Sequence, residues 1–276
     1  MSRIASRFAA LRRKGRGALI PFIEAYDPDS ETSMALLRGL PESGADLIEI
    51  GVPFTDPMAD GPTIQAAGRR ALRAGAKVAG TLAMVCDFRR EDDATPIVLM
   101  GYLNPILSYG PKRFCEDAAK VGVDGLIVVD LPTEEADVLL PFTNANGLDF
   151  IRLVAPTTDD VRLPLVLGGS SGFVYYVSIT GITGTRTASA DQLADAIPRI
   201  RRFTDLPIAV GFGVRSPAQA AAAVRAADAA VVASKLIDTM VGTLDANDRA
   251  TEATVQAVLA EVRQLADAVR TARVPA

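Results

Sequence analysis

Histidine and tryptophan are absent from this 276-residue chain, and cysteine occurs only twice. Without an imidazole, Ser-His and Cys-His nucleophile systems are excluded and no metal site is expected. Acid–base chemistry must then come from carboxylates, tyrosine or lysine. Cys86 and Cys115 each fall inside a helical stretch, beside neither a glycine loop nor a basic cluster. Two isolated thiols of that kind speak against a disulfide framework and fit a reducing, cytoplasmic location. Aromatic residues make up 5% of the chain against 49% hydrophobic residues in all, so the core must be built from Ala, Val, Leu and Ile. No apolar run reaches the roughly 18 residues of a membrane span. A basic stripe is also missing and the net charge is −4, so neither a membrane nor a nucleic acid is an expected partner. The basic opening SRFAALRRKGR carries apolar residues at helical spacing without an apolar run behind it. It reads as an amphipathic surface helix rather than a targeting peptide.

What the chain does have is alternation. Short apolar runs at 18–25, 46–51, 96–101, 124–130, 149–154, 172–178, 206–211 and 228–234 are separated by helical stretches. Nearly continuous apolar strands are what a parallel sheet covered on both faces requires. Eight such strands, with no linker or composition break, predict one (β/α)8 TIM barrel over residues 1–276. An extra N-terminal helix and an additional helix after strand 2 (AKVAGTLAMVCDFRR) complete it. A doubly wound open sheet is the alternative, but no GxGxxG follows the first strand.

The carboxylates of such a fold matter most at the C-terminal ends of its strands. In DLIEIG the period of two places Leu47 and Glu49 on one face and Ile48 and Ile50 on the other. With the isoleucines toward the helices, Glu49 projects into the barrel mouth among apolar neighbours, where burial raises its pKa toward neutrality. A Glu held by a buried Arg, or one that caps a neighbouring loop, is the bland reading of the same residue. The loop VPFTDPMADGP is stiffened by Pro53, Pro57 and Pro62 and carries Asp56 and Asp60. Either Asp reads by itself as a turn former.

The stretch DLIEIGVPFTDPMADGPTIQ resembles the tryptophan synthase alpha chain family. So do, in the same order, LMGYLNPILSYG, VGVDGLIVVDLPTEE, YYVSITGITGTR and LPIAVGFGVRSPAQ. The resemblance implies a TIM barrel that cleaves indole-3-glycerol phosphate to indole and glyceraldehyde 3-phosphate. It also implies a beta-chain partner in an alpha2-beta2 assembly, with no cofactor in this chain and pyridoxal phosphate only in the partner. Carried over by position, Glu49 transfers the proton and Asp60 stabilises positive charge on the indole nitrogen. Phe22, Met100, Ile127, Val129, Leu153, Tyr175, Thr183 and Phe212 form the indole and substrate pocket, although singly each reads as core. Gly184, Gly213, Ala233 and Ser234 hold the phosphate, and the loop bearing Thr183 acts as a lid. Pro53, Asp56, Pro57, Asn104 and Pro105 face the partner, with Asn104-Pro105 otherwise a turn.

The family pattern is departed from in places. Glu24-Ala25-Tyr26-Asp27-Pro28 replaces a Thr-Ala-Gly-Asp-Pro-like run, putting a second carboxylate, Glu24, inward near Glu49. Ala233 stands where Gly is usual, and Lys235 follows as a further cation. Two other functions stay open at this level: a catalytically weak subunit that docks on and activates the beta chain, and another sugar-phosphate barrel enzyme such as an isomerase.

Overall fold

The computed structural model describes residues 2–177, 190–211 and 213–273. Its strands are β1 (Ala18–Glu24), β2 (Ile48–Gly51), β3 (Ile97–Gly101), β4 (Gly125–Val128), β5 (Asp149–Phe150), β6 (Arg152–Val154), β7 (Val174–Val177), β8 (Ile208–Gly211) and β9 (Ala229–Val232). All pair in parallel, in the order β5-β4-β3-β2-β1-β9-β8-β7-β6. The two ends of that order are consecutive in the chain. β5 and β6 are the single run expected at 149–154, interrupted at Ile151; its first half pairs with β4 and its second with β7. The sheet therefore comes round on itself as a TIM barrel, and all eight expected runs are strands.

Side-chain alternation sorts the residues into two cores. Ile48 and Ile50 pack outward with Leu36, Leu37 and Val85 of the helices, while Leu47 packs inward with Phe22, Val98, Ile127 and Tyr175. Burial at about 25 cal/mol per Å² of apolar surface drives both layers together. The first helix, α1 (Arg3–Arg13), belongs to the inner core: Ile4, Phe8 and Leu11 are buried there, and the Phe8 ring meets Phe173 at 5.9 Å. The expected surface helix is thus also the plug of the barrel floor.

Further helices cover the outside: α2 (Ser30–Gly39), α3 (Pro62–Arg73), α4 (Val78–Phe88), α5 (Leu103–Tyr109), α6 (Pro111–Val121), α7 (Leu140–Ala145), α8 (Leu163–Leu167), α9 (Ala190–Arg201), α10 (Pro217–Ala226), α11 (Ser234–Val241) and α12 (Thr254–Thr271). The additional helix after the second strand is α4. Asn104-Pro105 is not a turn but the first turn of α5. Asp130, beyond β4, accepts the Leu103 N–H at 2.7 Å and so supplies a cap that local sequence lacks. No described helix is long and apolar enough to cross a membrane.

Acidic residues also close the floor. Asp46 accepts from both Arg16 Nη atoms (2.9 and 2.7 Å) and from the Leu19 N–H (3.0 Å). Asp124 accepts from Arg3, Arg89 and the Ile97 N–H, and Asp228 from Arg201 and the Ile208 N–H. Each carboxylate satisfies the start of a neighbouring strand and neutralises a guanidinium beside it.

Candidate active site

Register explains how the mouth is built. One inward row runs Phe22, Glu49, Val98, Gly125 across β1 to β4, and the next runs Glu24, Gly51, Met100, Ile127. Glu49 thus stands between a phenylalanine and a valine. It is 1% exposed, and its Oε2 has no hydrogen-bond partner. Burial, reinforced by the charge of Asp60, pushes its pKa up to about 8. No arginine engages that oxygen.

Asp60 differs from expectation. The loop before α3 does not leave it wet: it is 8% exposed, and burial raises its pKa to about 6. Tyr102 limits that rise by hydrogen bonding to the Asp60 carboxylate. The same hydroxyl accepts the Ala59 N–H at 3.0 Å, and the ring lies 5.4 Å from Phe54, so Tyr102 pins the loop over the mouth. Tyr102 is a site residue that sequence reasoning missed. The signal was present, since Tyr102 is two residues beyond inward-facing Met100.

Glu24 shares a row with Gly51, and the absent side chain there is what admits it. A Cβ on Gly51 would lie 2.3 Å from Glu24 Oε2 and 2.5 Å from the Phe22 ring. Burial raises the Glu24 pKa well above the ordinary carboxylate value, and the charges of Asp60 and Asp27 add to it. Glu24 lies inward as expected, and the mouth acid whose charge acts on it is Asp60. Behind Glu24, Asp27 forms a buried bidentate pair with Arg70 of α3, at 2.7 and 2.8 Å. Tyr26 adopts φ +69 and lays its ring against Gly80 of α4, where any side chain would collide with it.

Two clefts open here, sharing Phe22, Ile64 and Met100 as a common wall. The larger, of about 480 Å³, is lined by Glu49, Tyr175, Gly213, Val214, Arg215, Val231, Ala233 and Ser234; the smaller, of about 360 Å³, by Glu24, Gly51, Phe54, Pro57, Asp60, Tyr102 and Val129. Tyr175 is 3% exposed, and its hydroxyl occupies the space over Gly211, 2.1 Å from where a Cβ would sit. Ile127 and Leu153 face the same interior, Ile127 buried and Leu153 half-buried. Thr183, Gly184 and Phe212 lie outside the described residues.

At the opposite rim Ser234 begins α11, whose first N–H groups have no carbonyl within the helix to bond, and Ala233 and Ser234 line the larger cleft. Ala233 precedes it at φ −118, a conformation open to any L-residue. Lys235 does not join the mouth, because its Nζ is held by Glu261 of α12 at 3.2 Å. Among the positions expected to meet a partner, Asp56 and Asn104 are exposed and Pro53, Pro57 and Pro105 half-buried. They sit beside the exposed apolar side chains of Met58 and Leu107.

The arrangement holds two buried acids pushed toward their neutral forms, Glu49 and Glu24, and one that ionises more readily than Glu49, Asp60. An apolar wall shared by the two clefts and a helix N-terminus at the rim complete it. That constellation suits proton transfer to and from a small phosphorylated molecule.

Known proteins with this sequence pattern are consistent. Residues 8–270 match the family model described as Tryptophan synthase alpha chain. The chain is 75% identical to the tryptophan synthase alpha chain of Granulibacter bethesdensis, covering 100% of this chain and 99% of that protein. It is 69% identical to that of Acidiphilium cryptum, covering 98% of each. Among solved structures it is similar to tryptophan synthase subunit alpha of Legionella pneumophila (TM-score 0.89, 36% identity, 98% of each chain). It is also similar to a chain of Mycobacterium tuberculosis tryptophan synthase (TM-score 0.87, 38% identity, 98% of each chain).

Proposed function

This chain belongs to the tryptophan synthase alpha chain family, and from that membership we propose how its barrel mouth performs the family's lyase reaction, the cleavage of indole-3-glycerol phosphate to indole and glyceraldehyde 3-phosphate. The observation that carries the assignment of roles is Glu49: a carboxyl buried among apolar side chains, with an unpartnered oxygen and a pKa near 8.

Retro-aldol cleavage moves one proton from the glycerol hydroxyl next to the ring to C3 of the indole, and breaks the bond between them. Glu49, protonated at neutral pH, delivers its proton to C3. Ring nitrogen N1 then bears the positive charge, and ionised Asp60 stabilises it, held in place by Tyr102. The Glu49 carboxylate next removes the hydroxyl proton. As the carbonyl forms, the C–C bond breaks and its electron pair returns to the ring. Glu49 ends protonated, so the cycle closes without a net proton change. Phe22, Met100, Ile127, Val129, Leu153 and Tyr175 clasp the indole, and Gly213, Ala233, Ser234 and the first turn of α11 receive the phosphate, together with Gly184. Thr183 and Phe212 take the lid and pocket roles that the family pattern gives them.

Pro53, Asp56, Pro57, Asn104 and Pro105 form the docking rim for the beta chain, supported by the exposure of Met58 and Leu107 beside them. An alpha2-beta2 assembly, pyridoxal phosphate confined to the beta chain and a cytoplasmic location complete the proposal. The test is glyceraldehyde 3-phosphate release from indole-3-glycerol phosphate by the purified chain, with and without beta chain. Turnover that the beta chain stimulates is the expected result. A chain that only stimulates the beta reaction, without releasing the aldehyde, would be a docking subunit instead.

A further inference from the structure

Charge is unevenly spread around the mouth. Glu24, Glu49 and Asp60 face the two clefts, and among the described residues lining them Arg215 carries the one positive charge. A phosphorylated substrate must enter past Asp60, the mouth acid that is ionised at neutral pH, and N–H dipoles by themselves would have to offset the repulsion. Arg215 is placed to help. It lies at the larger cleft beside Gly213 and Val214, across from Ser234. Its backbone is fixed, since its N–H donates to Gln219 Oε1 at 2.7 Å while Ser216 caps α10 next to it.

The guanidinium has a holding partner. Arg215 Nη2 donates to Asp238 Oδ2 at 2.5 Å, and the other oxygen of Asp238 accepts from Thr63 Oγ1 of α3 at 3.5 Å. Asp238 lies one turn beyond Ser234 on α11, so the pair stands alongside the helix N-terminus that faces the cleft. The two side chains are 40% and 39% exposed. An ion pair that open to water contributes little by itself and is readily exchanged. Arginine also fits a phosphate through two parallel N–H bonds, which a single carboxylate oxygen does not use.

We propose that Arg215 is a binding and specificity residue for the phosphate end of the substrate, exchanging the Asp238 carboxylate for the phosphate when ligand enters. Asp238 then sets the strength of that grip by competing for the same guanidinium. The inference rests on the lyase reading for the identity of the substrate, but the local chemistry needs only a phosphate.

The test compares Arg215→Ala, Asp238→Asn and the double variant in the full chain with its beta chain, at fixed ionic strength. KM for indole-3-glycerol phosphate, competitive inhibition by inorganic phosphate and calorimetric binding of inorganic phosphate are measured. Arg215→Ala is expected to weaken phosphate and raise KM by about tenfold, with kcat changing far less. Asp238→Asn frees the guanidinium and tightens phosphate by about threefold, an effect the double variant loses. In the reverse condensation, KM for glyceraldehyde 3-phosphate follows Arg215 and KM for indole does not. A purely structural clamp predicts instead that both single variants act in the same direction. That result, or unchanged phosphate binding in Arg215→Ala, overturns the proposal. Absence of turnover in the unsubstituted chain would overturn the lyase reading, while calorimetry would still decide the role of Arg215.

Discussion

The two ends of the barrel use the same residue type in opposite ways. At the floor, Asp46, Asp124 and Asp228 each accept from at least one arginine and from a strand N–H. At the mouth, Glu49 meets phenylalanine, valine and an unfilled cleft, with one oxygen unpartnered. A satisfied carboxylate contributes to folding, because ionising it completes a network. An unsatisfied one opposes folding and stays reactive, because ionising it in an apolar pocket is unfavourable. Where a carboxylate finds its partners therefore separates architecture from chemistry better than burial does, since Asp46 and Asp124 are buried just as Glu49 is.

The sharpest way to break this contrast is to neutralise one acid at each end. Glu49→Gln is expected to lower kcat about 10³-fold, the scale of a lost proton-transfer group, while the variant folds and docks normally. Its stability should even exceed that of the unsubstituted chain at higher pH. The unfolded carboxyl ionises near 4.5 and the folded one near 8, so between those values the unfolded state releases a proton that the folded state keeps. Stability of the unsubstituted chain then falls relative to the variant as pH rises from 5 to 8, which paired melting curves would display. Equal melting at every pH would mean that Glu49 is not protonated in the fold. At the floor, Asp124→Ala takes the carboxylate partner from Arg3 and Arg89 and the acceptor from the Ile97 N–H. The expected loss is about 3 kcal/mol in denaturant unfolding, with kcat of the folded fraction unchanged. A catalytic defect without a stability defect would invalidate the division of labour.

A smaller effect is expected at Asp60. The free enzyme should show a bell-shaped kcat/KM profile, rising near pH 6 as Asp60 ionises and falling near pH 8 as Glu49 loses its proton. Asp60→Asn should remove the acid limb and lower kcat/KM about 10²-fold. A retained acid limb in that variant would assign it to another group.

The sequence made much of this legible, and the failures share one cause. Eight strands were readable because each is a continuous apolar run that only a doubly covered sheet tolerates, and Glu49 was readable from its alternation with Ile48 and Ile50. The break at Ile151 was not, because it arises where one strand transfers its pairing from β4 to β7. Helix α5 was hidden because its cap, Asp130, comes from a different strand end. The burial of Asp60 depends on Tyr102, more than forty positions away. Arg215 lies two residues after Gly213, an expected phosphate position, but only its placement at the cleft gives it meaning. Contacts between neighbours along the chain were visible; contacts created by barrel closure were not.

Glu24 offers the finest test of the contrast, because it is a mouth acid expected to be silent at neutral pH. Burial and the charge of Asp60 both oppose its ionisation, so an ionised Asp60 favours the protonated form of Glu24. Replacing it with Gln exchanges one neutral group for another of the same shape. At pH 7 Glu24→Gln should therefore alter kcat/KM by no more than about threefold, half a decade in rate. Glu24→Thr, which also opens the space over Gly51, should stay close to it. Divergence belongs at higher pH, where ionisation of Glu24 adds a negative charge to the mouth of the unsubstituted chain and the variants stay neutral at that position. There the variants should retain phosphorylated substrate better, seen as a KM that rises less toward alkaline pH than that of the unsubstituted chain. A tenfold loss at pH 7 in Glu24→Gln would show that Glu24 is ionised there, and the mouth would then hold two anions where the cleavage scheme uses one.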